Sequence, residues 1–192
     1  MNDSSDNQLV ALALYGDAKA FELIVRRYQK LVYNVLFNML RDHSATADAT
    51  QDTFLKAYKA LPTFRTELAF KPWLLRIATN TGLNAIRDEK QKASDSLDEM
   101  LEIDPLNEPV SWASADLEAE RNFVVASISG ALTALPARQR HIFVLRYQHD
   151  LSYADISNIV NETEGVVKTQ LFRAREKLRK LLYDQLKVEG GA

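Results

Sequence analysis

The sequence predicts an all-α protein made of two small helical domains. Alanine, leucine, lysine, arginine, glutamine and glutamate, which lose least on entering a helix, dominate the composition. Only six glycines and five prolines occur among 192 residues, and no Asn-Gly or Asp-Gly turn separates alternating apolar runs. Apolar residues recur at helical spacing on both sides of an acidic central segment. We therefore expect one helical domain before that segment and one after it.

Start and stop signals divide the first domain, residues 1–92, into successive helices. Asp17 is suited to cap a long helix, because its carboxylate can accept from free backbone amides. A further helix begins near Ala45 and is stopped by Pro62. Pro72 fits the first position of the next helix, where a missing amide hydrogen costs nothing.

Residues 93–120 differ from the segments on both sides. They read ASDSLDEMLEIDPLNEPVSWASADLEAE, with two prolines, no lysine or arginine, and no sustained helical face. This composition predicts an acidic flexible linker. The residues leave open whether the linker is only a solvated spacer or also binds a partner.

A short capped helix followed by a basic helix marks the second domain, residues 121–192. Ser152 and Asp155 form the capping-box pattern at the start of the short helix. Asn161 suits the left-handed conformation that ends it, and Thr163 can cap the helix that follows. This order is the helix-turn-helix arrangement, whose second helix enters the major groove of DNA.

The second helix of this pair concentrates positive charge in a chain whose net charge is −2. Val167, Leu171 and Leu178 fall near one side, which we expect to be buried. The other faces carry hydroxyl, aromatic and arginine side chains suited to bases, and lysines and arginines suited to phosphates. A solvated amphipathic helix would have a similar charge, but the capped helix in front favours DNA binding.

Two stretches of the first domain carry further candidate contacts. In PTFRTELAFKPWLLRIATN, aromatic rings alternate with cations, a composition suited to stacking on unpaired bases. We expect Trp73 to be largely packed and Phe64 to be the more exposed ring. The helical spacing of Trp73, Leu74, Ile77 and Ala78 leaves open that all four are core. In the helix around Asp48, Ala47, Thr50, Phe54, Ala57 and Leu61 predict the core face. The opposite side mixes carboxylates, an amide and a leucine, which by itself is typical of a solvated face.

Several segments resemble the extracytoplasmic-function (ECF) sigma factors of bacterial RNA polymerase. ALPARQRHIFVLRYQHDLSYADISNIVNETEGVVKTQLFRAREKLRKLL resembles the family's domain that reads the −35 promoter element. GDAKAFELIVRRYQ, DATQDTFLKAYKAL and FR-x-x-x-x-F-x-x-WL-x-x-IA-x-N resemble its promoter-melting domain. GVVKTQL departs from the usual Gly-Thr-Val-Lys-Ser-Arg-Leu, so Gln170 replaces an arginine that would contact the DNA backbone.

The resemblance implies an alternative sigma factor that binds core RNA polymerase and directs promoter-specific initiation. It implies a polymerase-binding surface at Asp48, Gln51, Asp52 and Leu55. It implies −10 DNA contacts at Phe64, Arg65, Phe70, Lys71, Arg76 and Asn80. It implies −35 DNA contacts at Arg146, Lys168, Thr169, Phe172, Arg173, Arg175 and Lys177.

The resemblance also implies partners and a location. An anti-sigma factor, often membrane-bound in this family, would hold the protein inactive and keep it at the inner face of the membrane. The N-terminus carries no cleavable signal, and its apolar patch is too short to span a membrane, so we expect a cytoplasmic protein.

Other function classes are weighed by what the sequence lacks. We expect no enzyme, cofactor, metal or small-molecule substrate, because there is no cysteine, no phosphate-binding loop and no metal-ligand spacing. His43, His141 and His149 are scattered, and His141 is expected to be structural. A stand-alone helix-turn-helix regulator and a protein-interaction module remain as alternatives.

Overall fold

The computed structural model describes residues 5–95, 128 and 130–189. All regular secondary structure in these ranges is helical, as predicted, and residues 130–133 are helical ahead of α5. The helices are α1 (Asp6–Leu14), α2 (Ala18–Leu40), α3 (His43–Ala60), a 3-10 turn (Leu61–Thr63), α4 (Phe70–Asp95), α5 (Ala137–Tyr147), α6 (Tyr153–Val160) and α7 (Glu164–Glu189). The predicted linker lies outside the described residues except at its start, where α4 continues through Asp95.

Local capping signals set most of the helix boundaries. Asp17 caps α2, because its Oδ1 accepts from the backbone amides of Lys19 at 2.9 Å and of Ala20 at 3.3 Å. Two starts differ from the prediction. Asp42 caps α3 through the Ala45 amide at 2.6 Å, so α3 begins at His43. Helix α4 begins at Phe70, so that Pro72 occupies its third position, still within the first turn, where amides lack intrahelical acceptors.

The core of the first domain lies between α1, α2, α3 and α4, with Ile24, Leu36 and Leu74 fully buried. The core face of α3 is rotated from the predicted one. Thr46, Ala49, Thr53, Phe54 and Ala57 are buried, whereas Ala47 is exposed and Thr50 is half-buried. The buried threonines are tolerated because their hydroxyls donate to the carbonyl oxygens one turn earlier.

The second domain forms the predicted helix-turn-helix from α6 and α7. The Ser152 hydroxyl accepts from the Asp155 amide at 3.0 Å, while the Asp155 carboxylate accepts from the Ser152 amide at 3.3 Å. Asn161 ends α6 in the left-handed conformation with φ 53°. The Thr163 hydroxyl then accepts from the Val166 amide at 3.4 Å as α7 begins.

The two domains pack against each other. Helix α2 contacts α5, and α4 contacts α6. Val35 and Leu75 of the first domain are fully buried in the same apolar cluster as Ile142, Leu145 and Ile156 of the second. In the part of the chain that the structure describes, no helix is long and apolar enough to cross a membrane.

Candidate nucleic-acid and polymerase interfaces

Helix α7 has one buried side and one exposed basic side. Val167, Leu171, Ala174 and Leu178 pack into the second domain, as the spacing predicts. All the predicted base and phosphate contacts on α7 are exposed, namely Lys168, Thr169, Phe172, Arg173, Arg175 and Lys177. Phe172 is 57 % exposed, which is unusual for a phenylalanine on a helix surrounded by cations. The exposed face therefore combines an apolar ring with positive charge, the two features that base and phosphate contact need.

Arg146 is a predicted −35 contact whose guanidinium donates to a backbone carbonyl oxygen of the protein itself. Its Nη1 donates to the Leu151 carbonyl oxygen at 2.7 Å and lies 3.8 Å from the carboxylate of Asp150. Its guanidinium also lies against the ring of Tyr153. Arg146 thus fixes the loop between α5 and α6.

The aromatic residues near the start of α4 form a packed cluster, which corrects the prediction for Phe64. Phe64 is only 6 % exposed, whereas we expected it to be the exposed ring. Its ring centre lies 5.5 Å from that of Phe70 and 5.0 Å from that of Trp73, and Phe70 packs on Tyr28 at 5.6 Å. Phe64 and Phe70 are therefore core residues. We call these four residues the aromatic cluster.

The loop above the aromatic cluster, residues 65–69, is exposed and locally ordered. The Leu68 amide donates to the Arg65 carbonyl oxygen at 2.9 Å, and the Asn7 side chain donates to the Thr66 carbonyl oxygen at 3.0 Å. Leu68 is 53 % exposed, and sequence reasoning missed it, although a leucine between polar loop residues is the signal that could have found it. Arg76 and Asn80 are exposed one turn apart on the adjoining α4.

Lys71 is the one predicted −10 contact that is bonded to the second domain. Its Nζ donates to the carbonyl oxygen of His149 at 2.7 Å, and its side chain is half-buried. In this arrangement the ammonium group of Lys71 binds a carbonyl oxygen of the protein instead of DNA.

The predicted polymerase-binding residues lie on one face of α3, between two concavities. Gln51 and Leu55 line an apolar groove of about 940 Å³ between α2 and α3, which also contains Phe21 and Tyr58. Leu55 is 54 % exposed. Asp48 and Asp52 lie beside them on the same face and line a concavity between α3 and α4, where Asp52 pairs with Lys56 at 2.6 Å. The groove itself was missed, because its walls come from two helices.

Comparison with known proteins agrees with both halves of this description. The Sigma-70 region 2 family model matches residues 24–92, and the Sigma-70, region 4 model matches residues 126–178. The RNA polymerase sigma-H factor of Pseudomonas aeruginosa is 33 % identical over 97 % of this chain and 98 % of its own length. The ECF RNA polymerase sigma factor SigW of Bacillus subtilis is 35 % identical over 88 % of this chain and 92 % of its own length. The chain belongs to the ECF sigma factor family.

Membership confirms the function predicted from the sequence, which is to direct RNA polymerase to specific promoters. The interpretations as a stand-alone regulator and as an interaction module are set aside, because both sigma regions are present. The family consists of non-catalytic regulators. Among the described residues, no group of three or more histidines and carboxylates could hold a metal ion.

Two solved structures share the fold of this sigma factor. The sigma factor RpoE of Bartonella quintana, solved with the anti-sigma factor NepR, has a TM-score of 0.71 at 25 % identity and covers 86 % of this chain and 98 % of its own. CnrH, solved with the cytosolic domain of CnrY, has a TM-score of 0.65 at 24 % identity, over 94 % of this chain and 99 % of its own, and indicates the fold alone.

Proposed function

We propose that this sigma factor reads its promoter with two separate exposed faces. The first half of α7 binds the −35 element, and the loop of residues 65–69 with the adjoining face of α4 binds the −10 element. The observation that carries the −35 assignment is the exposure of Phe172 among the cations of α7, because an apolar ring beside positive charge suits a thymine methyl group and the neighbouring phosphates.

On the −35 side, we assign base contacts to Thr169, Phe172 and Arg173, and phosphate contacts to Lys168, Arg175 and Lys177. The Thr169 hydroxyl donates to the Gly165 carbonyl oxygen at 2.8 Å, so toward DNA it offers a lone pair and a methyl group. Arg146 is assigned a positioning role, because the Leu151 carbonyl oxygen already binds its guanidinium.

On the −10 side, we assign contacts to Arg65, Lys71, Arg76 and Asn80, and we add Leu68. The exposed loop offers an apolar side chain beside a cation, which suits an unstacked base and its phosphate. The buried Phe64 and Phe70 support this loop from below and are not assigned to DNA.

We further propose that the groove between α2 and α3 binds a helical part of core RNA polymerase through Leu55 and Gln51. An exposed apolar groove with a polar rim is the usual form of a docking site for an amphipathic helix. Asp48 and Asp52 lie next to Leu55 on the same face of α3, where they would contact cations of the same partner.

The same groove is a candidate target for inhibition. The Bartonella quintana relative was solved with an anti-sigma factor, which supports an anti-sigma partner for this chain. We propose cytoplasmic action, attachment to the inner membrane face only through such a partner, and no catalytic activity. The proposed domains are residues 1–92 and 121–192, joined by residues 93–120.

Transcription-start mapping tests this function. The purified protein is mixed with sigma-free core polymerase and fragmented bacterial genomic DNA, and the transcript starts are sequenced. We expect starts that depend on the protein and that share two spaced sequence elements. Phe172→Ala should weaken selection of the upstream element, whereas Leu55→Asp should reduce the number of starts at all promoters. Starts that are unaffected by either variant would refute these assignments.

A further inference from the structure

The interface between the two domains joins apolar packing to specific polar contacts. Val35 and Leu75 add their buried side chains to the core of the second domain, so separating the domains would expose apolar surface to water. Among the described residues, three side-chain hydrogen bonds cross the interface: Lys71 Nζ to the His149 carbonyl oxygen at 2.7 Å, Arg140 Nε to the Asn38 carbonyl oxygen at 2.9 Å, and one between Thr79 Oγ1 and His141 Nε2 at 3.1 Å.

The docked arrangement is too short to bind a whole promoter. The −10 and −35 elements lie roughly 25 base pairs apart, which is about 80 Å of B-form DNA at ~3.4 Å per base pair. The longest helix of each domain, α4 or α7, has 26 residues and is about 39 Å long at ~1.5 Å per residue, so two touching domains would span the promoter only if they lay end to end. They touch instead through the sides of α2 and α4, and Lys71 of the proposed −10 face is bonded to the second domain. The domains therefore have to separate before both elements can be bound.

We propose that this interface is an autoinhibitory contact of the free sigma factor, which opens when His141 and His149 are protonated and when −10 DNA captures Lys71. The proposal rests on the proposed function at one point, the assignment of Lys71 to the −10 element. The role of the histidines is independent of that assignment.

Both histidines are buried in surroundings that carry positive charge. His141 is 6 % exposed and His149 is 8 % exposed, and neither His141 Nδ1 nor His149 Nε2 has a hydrogen-bond partner. His149 and Arg140 are close enough to His141 for their charges to act on it, Lys71 acts in the same way on His149, and Arg41 acts on Arg140. No carboxylate forms an ion pair with either ring within the described ranges.

This environment makes docking sensitive to acid. Burial lowers the pKa of both imidazoles to about 4, and the neighbouring positive groups lower it as well. A solvated imidazole has a pKa of about 6.5. Because the docked state disfavours the proton, docking is most stable above about pH 6.5 and weakens as the pH falls from there toward 4. At about pH 5.5, each ring would shift the equilibrium by up to about tenfold toward the open state.

Distance measurements between two labels test the docking directly. The chain has no cysteine, so a Lys19→Cys, Ala134→Cys variant of the full chain takes labels only at two exposed sites, one in each domain. We expect a short, narrow distance distribution at pH 7.5. At pH 5.5 a longer, broader population should dominate, and it should disappear when the pH is returned to 7.5.

Histidine variants show whether the two rings cause the response. His141→Gln with His149→Gln keeps hydrogen-bonding groups but cannot titrate, so the domains should stay docked at pH 5.5. At pH 5.5, the ratio of open to docked protein in each single variant should be about a tenth of the wild-type ratio. His43→Gln is the matched control, because His43 is exposed and bonds Tyr33 away from the interface, and it should open as the wild type does. Domains already apart at pH 7.5, or equal opening in the double variant, would overturn the proposal.

The competition with DNA is tested at pH 7.5. A single-stranded oligonucleotide carrying the mapped −10 sequence should shift the labels to the long distance. If it binds while the short distance persists, competition for Lys71 is wrong. If it does not bind at all, the proposed −10 assignment fails, and the acid response then decides the role of the histidines separately.

Discussion

The guanidinium carbon of Arg146 lies 5.1 Å from the centre of the Tyr153 ring. The same ring has Lys168 Nζ 5.4 Å from its centre. Tyr153 therefore connects the end of α5 with the N-terminal part of α7, the part of the helix that would face DNA. We infer that its ring holds both cations in place by cation–π attraction.

The Tyr153 ring should matter more than its hydroxyl. Tyr153→Leu removes the π surface and should weaken −35 DNA binding about fivefold, the equivalent of ~1 kcal/mol. Tyr153→Phe should bind as the wild type does. Fluorescence titration with −35 duplexes at several salt concentrations measures both. Tyr147→Leu is the control, because Tyr147 is half-exposed in the same domain but packs on Phe143. Equal losses in the Phe and Leu variants would contradict the cation–π role.

Base and phosphate contacts on α7 should respond differently to mutation. Phe172→Ala should reduce affinity for the specific −35 duplex by on the order of tenfold and leave nonspecific duplex binding unchanged. Lys177→Gln should weaken both similarly and reduce the slope of log affinity against log salt by about 1. Parallel titrations with specific and scrambled duplexes separate the cases. An equal loss on both duplexes for Phe172→Ala would show that its ring does not read sequence.

The groove on α2 and α3 should control polymerase binding. Leu55→Asp places a charge in an apolar contact and should weaken binding to core polymerase by about tenfold or more. Leu68→Asp is a matched control, because Leu68 is as exposed but lies on the loop of residues 65–69. Surface plasmon resonance with immobilised core polymerase measures both affinities. Similar losses for the two variants would place the polymerase contact elsewhere.

Phe70 should contribute to stability because its ring is buried between aromatic neighbours. Phe70→Ala should lower the free energy of unfolding by about 3–5 kcal/mol, from lost burial and the cavity left behind. Phe70→Leu should lower the free energy of unfolding by clearly less, because it leaves a smaller cavity. Urea denaturation followed by circular dichroism measures the change. A stable Phe70→Ala protein that fails only in DNA binding would restore the original assignment of this ring to the −10 element.

Tyr28 should limit stability at high pH. Its hydroxyl donates to the Asp6 carboxylate, and burial together with that bond raises the pKa of the phenol well above its usual 10. The stabilising contribution is full below about pH 10, the unfolded value, and is lost as the pH rises through the native one. Denaturation at pH 8.5 to 11.5 should therefore show a shallower decline for Tyr28→Phe. The exposed Tyr15→Phe should keep the wild-type slope.

Features that depend on neighbouring residues in the chain could be predicted from the sequence. The Ser152–Asp155 capping box, the left-handed Asn161 and the Asp17 cap each involve backbone groups within four residues, so their patterns are local. Helix α3 starts two residues before the predicted position, because Asp42 and His43 precede the first apolar residue of the helix, which is the residue that periodicity marks.

Features that depend on packing between distant segments could not be predicted from the sequence. Phe64 precedes a polar loop, which predicts an exposed ring. In the structure, the rings of Phe70 and Trp73 at the start of α4 pack against it and bury it. The groove at Leu55 needs α2 beside α3, and the bond from Lys71 to His149 joins residues 78 positions apart. No periodicity within one helix carries such information.

The aromatic cluster lets two kinds of selection act on different residues. Tyr28, Phe64, Phe70 and Trp73 carry the stability of this region beneath the surface, whereas residues 65–69 lie above them. Substitutions in the loop leave those ring contacts unchanged, so paralogues that inherit the cluster can acquire new promoter preferences without first losing their fold. Gene duplication followed by divergence of these few loop residues would then produce new regulons on one conserved scaffold.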